Sequence, residues 1–146
     1  MAVFEESLVL PVRPDRAFAI IGDPENGPRI DPMISHYEPE GGVMREGGRN
    51  HIRGRAFGIP IRVVSVTREW DPPRRMVLEN IKPAHPVRLR LTQTFEPHPH
   101  GTLLTYHADI DGFGPAARIF RWFIARNFRR AKPRVLDLFR REAAGR

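Results

Sequence analysis

GPAARIFRWFIARNFRRAKPRVLDLFRR, residues 114–141, is the stretch on which the fold turns. Gly114-Pro115 opens it, and at 100° per residue Phe120, Ile124, Phe128, Ala131, Val135 and Leu138 fall on one stripe. Arg118, Arg126, Arg129, Lys132 and Arg140 occupy the opposite arc. The spacing predicts one long amphipathic helix. Ile119 and Phe123 widen its apolar face on one flank in the first half, and Leu136 and Phe139 widen it on the other flank in the second. The buried face is therefore expected to drift around the helix. Pro133 removes a backbone donor and crowds the preceding turn, which predicts a kink near residues 129–133.

Such a helix needs an apolar surface to lie on, and the rest of the chain supplies strands. Val3 to Leu10 reads as a first strand closed by Pro11. Pro14-Asp15 starts a short helix over 14–22, and Asp23 caps a second that begins at Pro24 and ends before Pro32. From there alternation takes over, punctuated by Gly41-Gly42, Gly47-Gly48, Asp71-Pro72-Pro73, Lys82-Pro83 and Pro97-His98-Pro99-His100-Gly101. The strands fall at about 34–40, 48–57, 60–70, 74–82, 86–96 and 102–110. Short connections without helices between them imply an antiparallel meander. A single domain over 1–146 is expected, α+β in class, with a curved antiparallel seven-stranded sheet wrapped around the C-terminal helix and two short helices between strands 1 and 2.

This order resembles the START-like, polyketide cyclase/dehydrase (SRPBCC) superfamily with its helix-grip fold. The resemblance covers essentially the whole chain and rests on five local patterns besides the closing helix. They are Pro14-Asp15-Arg16-Ala17-Phe18, Asp23-Pro24-Glu25-Asn26, Arg29-Ile30-Asp31-Pro32, Trp70-Asp71-Pro72-Pro73-Arg74-Arg75 and Thr92-Gln93-Thr94-Phe95-Glu96-Pro97. It implies an internal cavity between sheet and helix that takes a lipid, polyketide or similar hydrophobic molecule, with no cofactor. Ile30 stands where many members carry a cavity-lining tryptophan, so selectivity by ring stacking is not expected.

Strand 86–96 is the best patterned, with Val87, Leu89, Leu91 and Phe95 on one face together with Gln93. In the next strand Leu104, Ala108 and Ile110 alternate, joined by Tyr106. A buried amide and a buried phenol must find partners, so Gln93 and Tyr106 either satisfy each other or face a pocket and address a ligand's oxygen. An inward Arg62 would suit a carboxylate or enolate, but Ile61 and Val63 make the alternate face equally apolar, and the strand does not decide between them. Asn80 and Asn127 sit at the borders of apolar faces. The ligand-lining set expected from these patterns is Gln93, Tyr106, Leu91, Leu104, Ile30, Phe120, Phe123, Ile124 and Asn127, with Tyr106 and Arg62 as candidate proton-transfer groups. His98-Pro99-His100 reads as a solvated turn and not a metal site, and Gly112-Phe113-Gly114 as a hinge into the helix.

Composition bounds the alternatives. The 146 residues contain no cysteine, which excludes disulfide scaffolds, thiolate zinc sites and thiol catalysis. The first ten residues carry two glutamates and no basic start, and no apolar run reaches membrane-span length; a cytoplasmic, soluble chain is expected. The net charge of +7 is unevenly placed: residues 114–146 hold 10 Lys plus Arg against 2 Asp plus Glu, whereas the rest is near neutral. Trp122 lies on the arginine arc, so this face is either a solvated exterior or a membrane-surface contact. Sequence-specific nucleic-acid recognition is not expected, and a homodimer is allowed by the resemblance without any patch that argues for one. The readings carried forward are a hydrophobic-ligand carrier and, as the alternative, an aromatase/cyclase-like enzyme.

Overall fold

The computed structural model describes residues 2–83, 87–112 and 114–145. Strand β1 (Ala2–Leu10) leads into helix α1 (Pro14–Ile21), a 3-10 turn (Pro24–Asn26) and the single-turn helix α2 (Gly27–Ile30). Six strands follow: β2 (Ile34–Pro39), β3 (Arg49–Ala56), β4 (Ile59–Asp71), β5 (Arg75–Lys82), β6 (Val87–His98) and β7 (Gly101–Gly112). Helix α3 (Ala116–Ala144) closes the chain. The strands form one seven-stranded antiparallel sheet in the order β1-β7-β6-β5-β4-β3-β2, so the meander closes by laying β1 beside β7. This is the expected α+β helix-grip architecture. Of the expected features, Pro86 at the start of strand 86–96, His85 and the hinge residue Phe113 lie outside the described residues.

The local signals act as expected at the turns. Pro14 occupies the first turn of α1 with Asp15 beside it, and the Asp23 carboxylate accepts a hydrogen bond from the Glu25 N–H at 3.0 Å, capping the 3-10 turn. Pro133 does not interrupt α3, which runs as one helix of 29 residues. Its exposed position, next to exposed Arg129, leaves the carbonyl that loses its donor open to water.

Helix α3 is held most firmly by its C-terminal half. Val135 and Phe139 pack with Phe18 of α1, Phe95 of β6 and Leu8 and Leu10 of β1, and Phe139 is 0% exposed. Phe18 sets edge-to-face contacts with Trp70 at 4.9 Å and Phe95 at 5.2 Å between ring centres. The N-terminal half of the helix rests on a second cluster, Ala117, Ile124 and Ala125 against Phe4, Ala108 and Ile110. The buried face thus drifts as the flanking residues imply, with one exception. Ile119, expected to widen the buried face, is 63% exposed and joins neither core cluster.

Gly54 sets where the short-helix segment meets the sheet. A Cβ there would stand 1.7 Å from the Met33 carbonyl oxygen, which accepts a hydrogen bond from the Arg55 N–H at 2.9 Å. No side chain can replace that glycine without displacing the backbone after α2.

Since Phe139 joins α1, the sheet and α3 in one contact, Phe139→Ala is expected to lower the unfolding free energy by about 3–5 kcal/mol. Urea titration followed by circular dichroism measures it; a loss below about 1 kcal/mol would mean that the C-terminal half of α3 is not the anchor.

Candidate functional site

Between the two packed ends, the middle of α3 stands off the concave face of the sheet and encloses a cavity of about 580 Å³. Its wall is built by strand alternation. Leu89, Leu91 and Gln93 of β6, Leu104 and Tyr106 of β7, and Met76, Leu78 and Asn80 of β5 point into it. The roof is Phe120, Phe123, Ile124, Asn127, Phe128, Ala131 and Val135 of α3, and Ile30 of α2 and Asp31 just after it also border the space. The nine expected lining residues are therefore brought together around one space. Arg62 is exposed and reaches the cavity only at its border, paired across the hairpin with Arg53, while Ile61, Val63 and Ser65 take the inward positions.

The polar groups in this apolar shell are few and specifically held. Gln93 stands directly opposite Tyr106 in the β6–β7 register, yet its amide donates to the Met76 sulfur at 3.7 Å. The Tyr106 ring is wedged against Phe128 at 5.1 Å and Phe4 at 6.2 Å, and among the described residues its hydroxyl has no hydrogen-bond partner. Burial holds the Tyr106 phenol far above its ordinary pKa, and the charge of Asp31 adds to the effect. The mutual hydrogen bond that the sequence left open between Gln93 and Tyr106 is thus not formed.

Asp31 is the group that sequence reasoning missed. Its Oδ1 accepts from the Met33 N–H at 2.9 Å and from the Asn127 side-chain amide at 3.1 Å, and both bonds fall on the same oxygen. Burial raises the Asp31 pKa; the two hydrogen bonds and the nearby Arg134 charge offset only part of that rise. Asn127, a border residue of the helix stripe, is the clamp that turns this carboxyl toward the cavity. Nothing in the periodicity marks Asp31, since it follows a four-residue helix and belongs to neither repeating pattern.

Tyr37 was hidden for a different reason. A register irregularity between Ile34 and His36 breaks the alternation of β2, so Ile34 and Tyr37, three residues apart, both line the cavity. The Tyr37 hydroxyl is buried without a hydrogen-bond partner, and burial pushes its pKa up to about 12. Ser65 is close enough to moderate the rise but completes no hydrogen bond with the phenol. Behind it, Asn50, 1% exposed, donates to Ser65 Oγ at 3.2 Å and Thr67 Oγ1 at 3.1 Å.

Chemically, these groups can hydrogen-bond carbonyl or hydroxyl oxygens of a largely apolar molecule and can exchange a proton with it. Among the described residues no three His, Asp or Glu side chains gather as a metal site would require. His98 and His100 sit in an exposed turn, where the His100 N–H donates to His98 Nδ1 at 3.1 Å. No described helix is long and apolar enough to cross a membrane.

A carboxyl whose pKa is raised on folding favours the folded state at acid pH, below the ordinary value of 3.8, and withdraws that contribution as pH rises through the folded value. Asp31→Asn keeps an oxygen for Met33 and Asn127 and does not titrate. Its stability relative to the parent is therefore expected to increase from about pH 4 to pH 7, measured by thermal unfolding across that range. A difference that stays flat, or runs the other way, would show that Asp31 is not desolvated.

Comparison with solved structures places the architecture among known ones. A Nitrosomonas europaea protein superposes with a TM-score of 0.78 at 16% identity, covering 97% of this chain and 96% of that one. The di-domain ARO/CYC BexL from the BE-7585A biosynthetic pathway superposes with a TM-score of 0.77 at 20% identity over 94% of this chain and 46% of that one. Ara h 8.0201 gives 0.69 at 16% identity, covering 93% and 98% respectively. At these identities the likeness is one of fold. No curated protein matches the sequence. A family model described as polyketide cyclase / dehydrase and lipid transport matches residues 1–144, and the chain, with its cavity roofed by α3, belongs to that family.

Proposed function

We propose that the protein binds a hydrophobic small molecule bearing one or more oxygen substituents in the cavity between the sheet and α3. The observation that carries this reading is an apolar space of about 580 Å³ with a short set of polar groups aimed into it. That volume lies in the usual range for small-molecule sites. Left dry and empty, it would cost on the order of 10 kcal/mol, comparable to a domain's whole stability. Asp31, Asn127, Tyr37, Tyr106 and Gln93 address the ligand's oxygens, while Ile30, Leu91, Leu104, Phe120, Phe123 and Ile124 supply apolar contact.

Native mass spectrometry of freshly purified protein and titration with an environment-sensitive lipophilic dye test the reading. One equivalent of dye is expected to bind, and Ile124→Trp, which fills the space, is expected to weaken it about tenfold or more while leaving the far-ultraviolet dichroism unchanged. A ligand-free mass together with no dye uptake would sink the proposal.

A second reading is favoured by one observation. Asp31 and the Tyr106 phenol, both with raised pKa, face the same water-poor space, as proton transfer at an enolising poly-ketone would require. In an aromatase/cyclase-like reaction Asp31 would exchange the proton and Tyr106 would hold the developing oxyanion. Asp31→Asn and Tyr106→Phe are then each expected to reduce cyclised product in a reconstituted assay by about 10²-fold or more, with dye binding retained. An unchanged product distribution leaves a carrier.

A further inference from the structure

The end of the molecule where the β3–β4 hairpin meets the first half of α3 differs from the rest of the surface. Among the described residues seven large apolar side chains are strongly exposed, and four of them are here: Phe57 and Ile59 at the hairpin tip, each 66% exposed, with Ile119 at 63% and Trp122 at 54% on the helix. The two elements touch. Phe57 and Phe123 lie 5.3 Å apart between ring centres, and the Arg126 guanidinium stacks on both Phe57, at 5.3 Å, and Trp122, at 5.9 Å. Ile119, Trp122, Phe123 and Arg126 recur at helical spacing, so hairpin tip and helix face make one continuous patch.

Phe57 is placed there against its backbone preference. The hairpin turns on two residues, with Ala56 paired to Ile59, and Phe57 takes the first turn position with φ of 53°, a left-handed conformation ordinarily left to Gly, Asn or Asp. Its contacts with Phe123 and Arg126 still leave the Phe57 ring 66% exposed.

The two segments that form the patch carry charge of one sign. Residues 47–68, which include the hairpin, contain five arginines and no acid, and residues 114–136 contain seven Lys or Arg and no acid. Arg53 and Arg62 face each other across the hairpin, an unfavourable like-charge pair. Arg55, Arg126 and Arg130 line a small cleft beside the patch, and none has a carboxylate partner among the described residues. That cleft shares Met33, Ala56, Phe123 and Asn127 with the large cavity, so the patch lies directly outside the ligand space.

We infer that this end is a docking surface for an anionic lipid bilayer: Phe57, Ile59, Ile119 and Trp122 enter the headgroup boundary while Arg55, Arg126 and Arg130 engage lipid phosphates. The combination of exposed aromatic and branched side chains with unpaired arginines is what an interfacial site needs, and neither half alone would select a charged membrane. Docking here would set one end of the cavity against the lipid, where an apolar molecule could pass without crossing water.

Co-sedimentation with phosphatidylcholine vesicles, with and without phosphatidylglycerol, tests the inference on the full chain and does not depend on what the cavity holds. Binding is expected only with phosphatidylglycerol present, and is expected to fall as salt rises to roughly 0.5 M. Arg126→Gln and Arg130→Gln should each weaken it about fivefold. The double variant Phe57→Ser and Trp122→Ser should weaken it about tenfold or more, and Val43→Ser, which alters an equally exposed side chain elsewhere, should leave it unchanged. All three patch variants should retain the parent's unfolding midpoint and its dye binding, so that failure here is distinct from failure of the cavity reading. Binding equally to neutral vesicles, no vesicle binding at all, or equal loss in Val43→Ser would overturn the inference. So would a dimer in sedimentation velocity that Phe57→Ser converts to monomer, because the patch would then be a contact between copies.

Discussion

The anchoring of α3 at its two ends is the constraint on which everything else depends. Phe139 and Val135 lock the C-terminal half against α1 and the sheet, and Ala117, Ile124 and Ala125 rest on the β1–β7 edge. Helix α3 runs without a break through Pro133 and is packed at both ends, and between them it roofs a space over the concave face of the sheet. The space left under it is the cavity. A helix that bent to fill that space would gain core packing and lose the site.

Within that space, polarity is set by position more than by composition. Asp31 and Asn127 lie 96 positions apart in the chain and meet only because α2 and α3 both bound the cavity. The hydrogen bonds from Asn127 and Met33 fall on one carboxyl oxygen, and burial outweighs them, so that protonation is favoured. Tyr106 and Tyr37 are alike in that, among the described residues, their hydroxyls have no hydrogen-bond partner. Unpaired polar atoms in a low-dielectric space are costly, and a ligand that supplies the missing hydrogen bonds recovers that cost. Under the proposed function, these groups would favour oxygen-bearing molecules without an aromatic at position 30.

Charge follows a similar division. Acidic residues are concentrated elsewhere: Glu79 pairs with Arg68 and Arg90 on the outer face of the sheet, and Asp137 pairs with Arg141 in the last turns of α3. The two acid-free segments are left to meet at one end. What reads along the chain as one basic helix becomes, in three dimensions, a basic end shared by helix and hairpin.

The order of elements and the stripe of α3 were legible in the sequence because helix and strand periodicities act locally and the turns carry Gly, Pro and Asp at the required places. The inward face of β6 and β7 was legible too, since those strands keep an unbroken alternation from Val87 and Thr102 onward. In β2 an irregularity between Ile34 and His36 breaks parity and hid Tyr37, and in β4 the two faces around Arg62 are comparably apolar, so alternation could not choose between them. Sequence by itself determined the helix-grip architecture and most of the apolar lining, because burying a periodic apolar face has few solutions. Only the tertiary structure decided that Asp31 faces the cavity beside Asn127, that Arg62 reaches the cavity only at its border, and that the hairpin tip joins the helix face. Each of these depends on residues distant in the chain being brought together, and no local pattern encodes that approach.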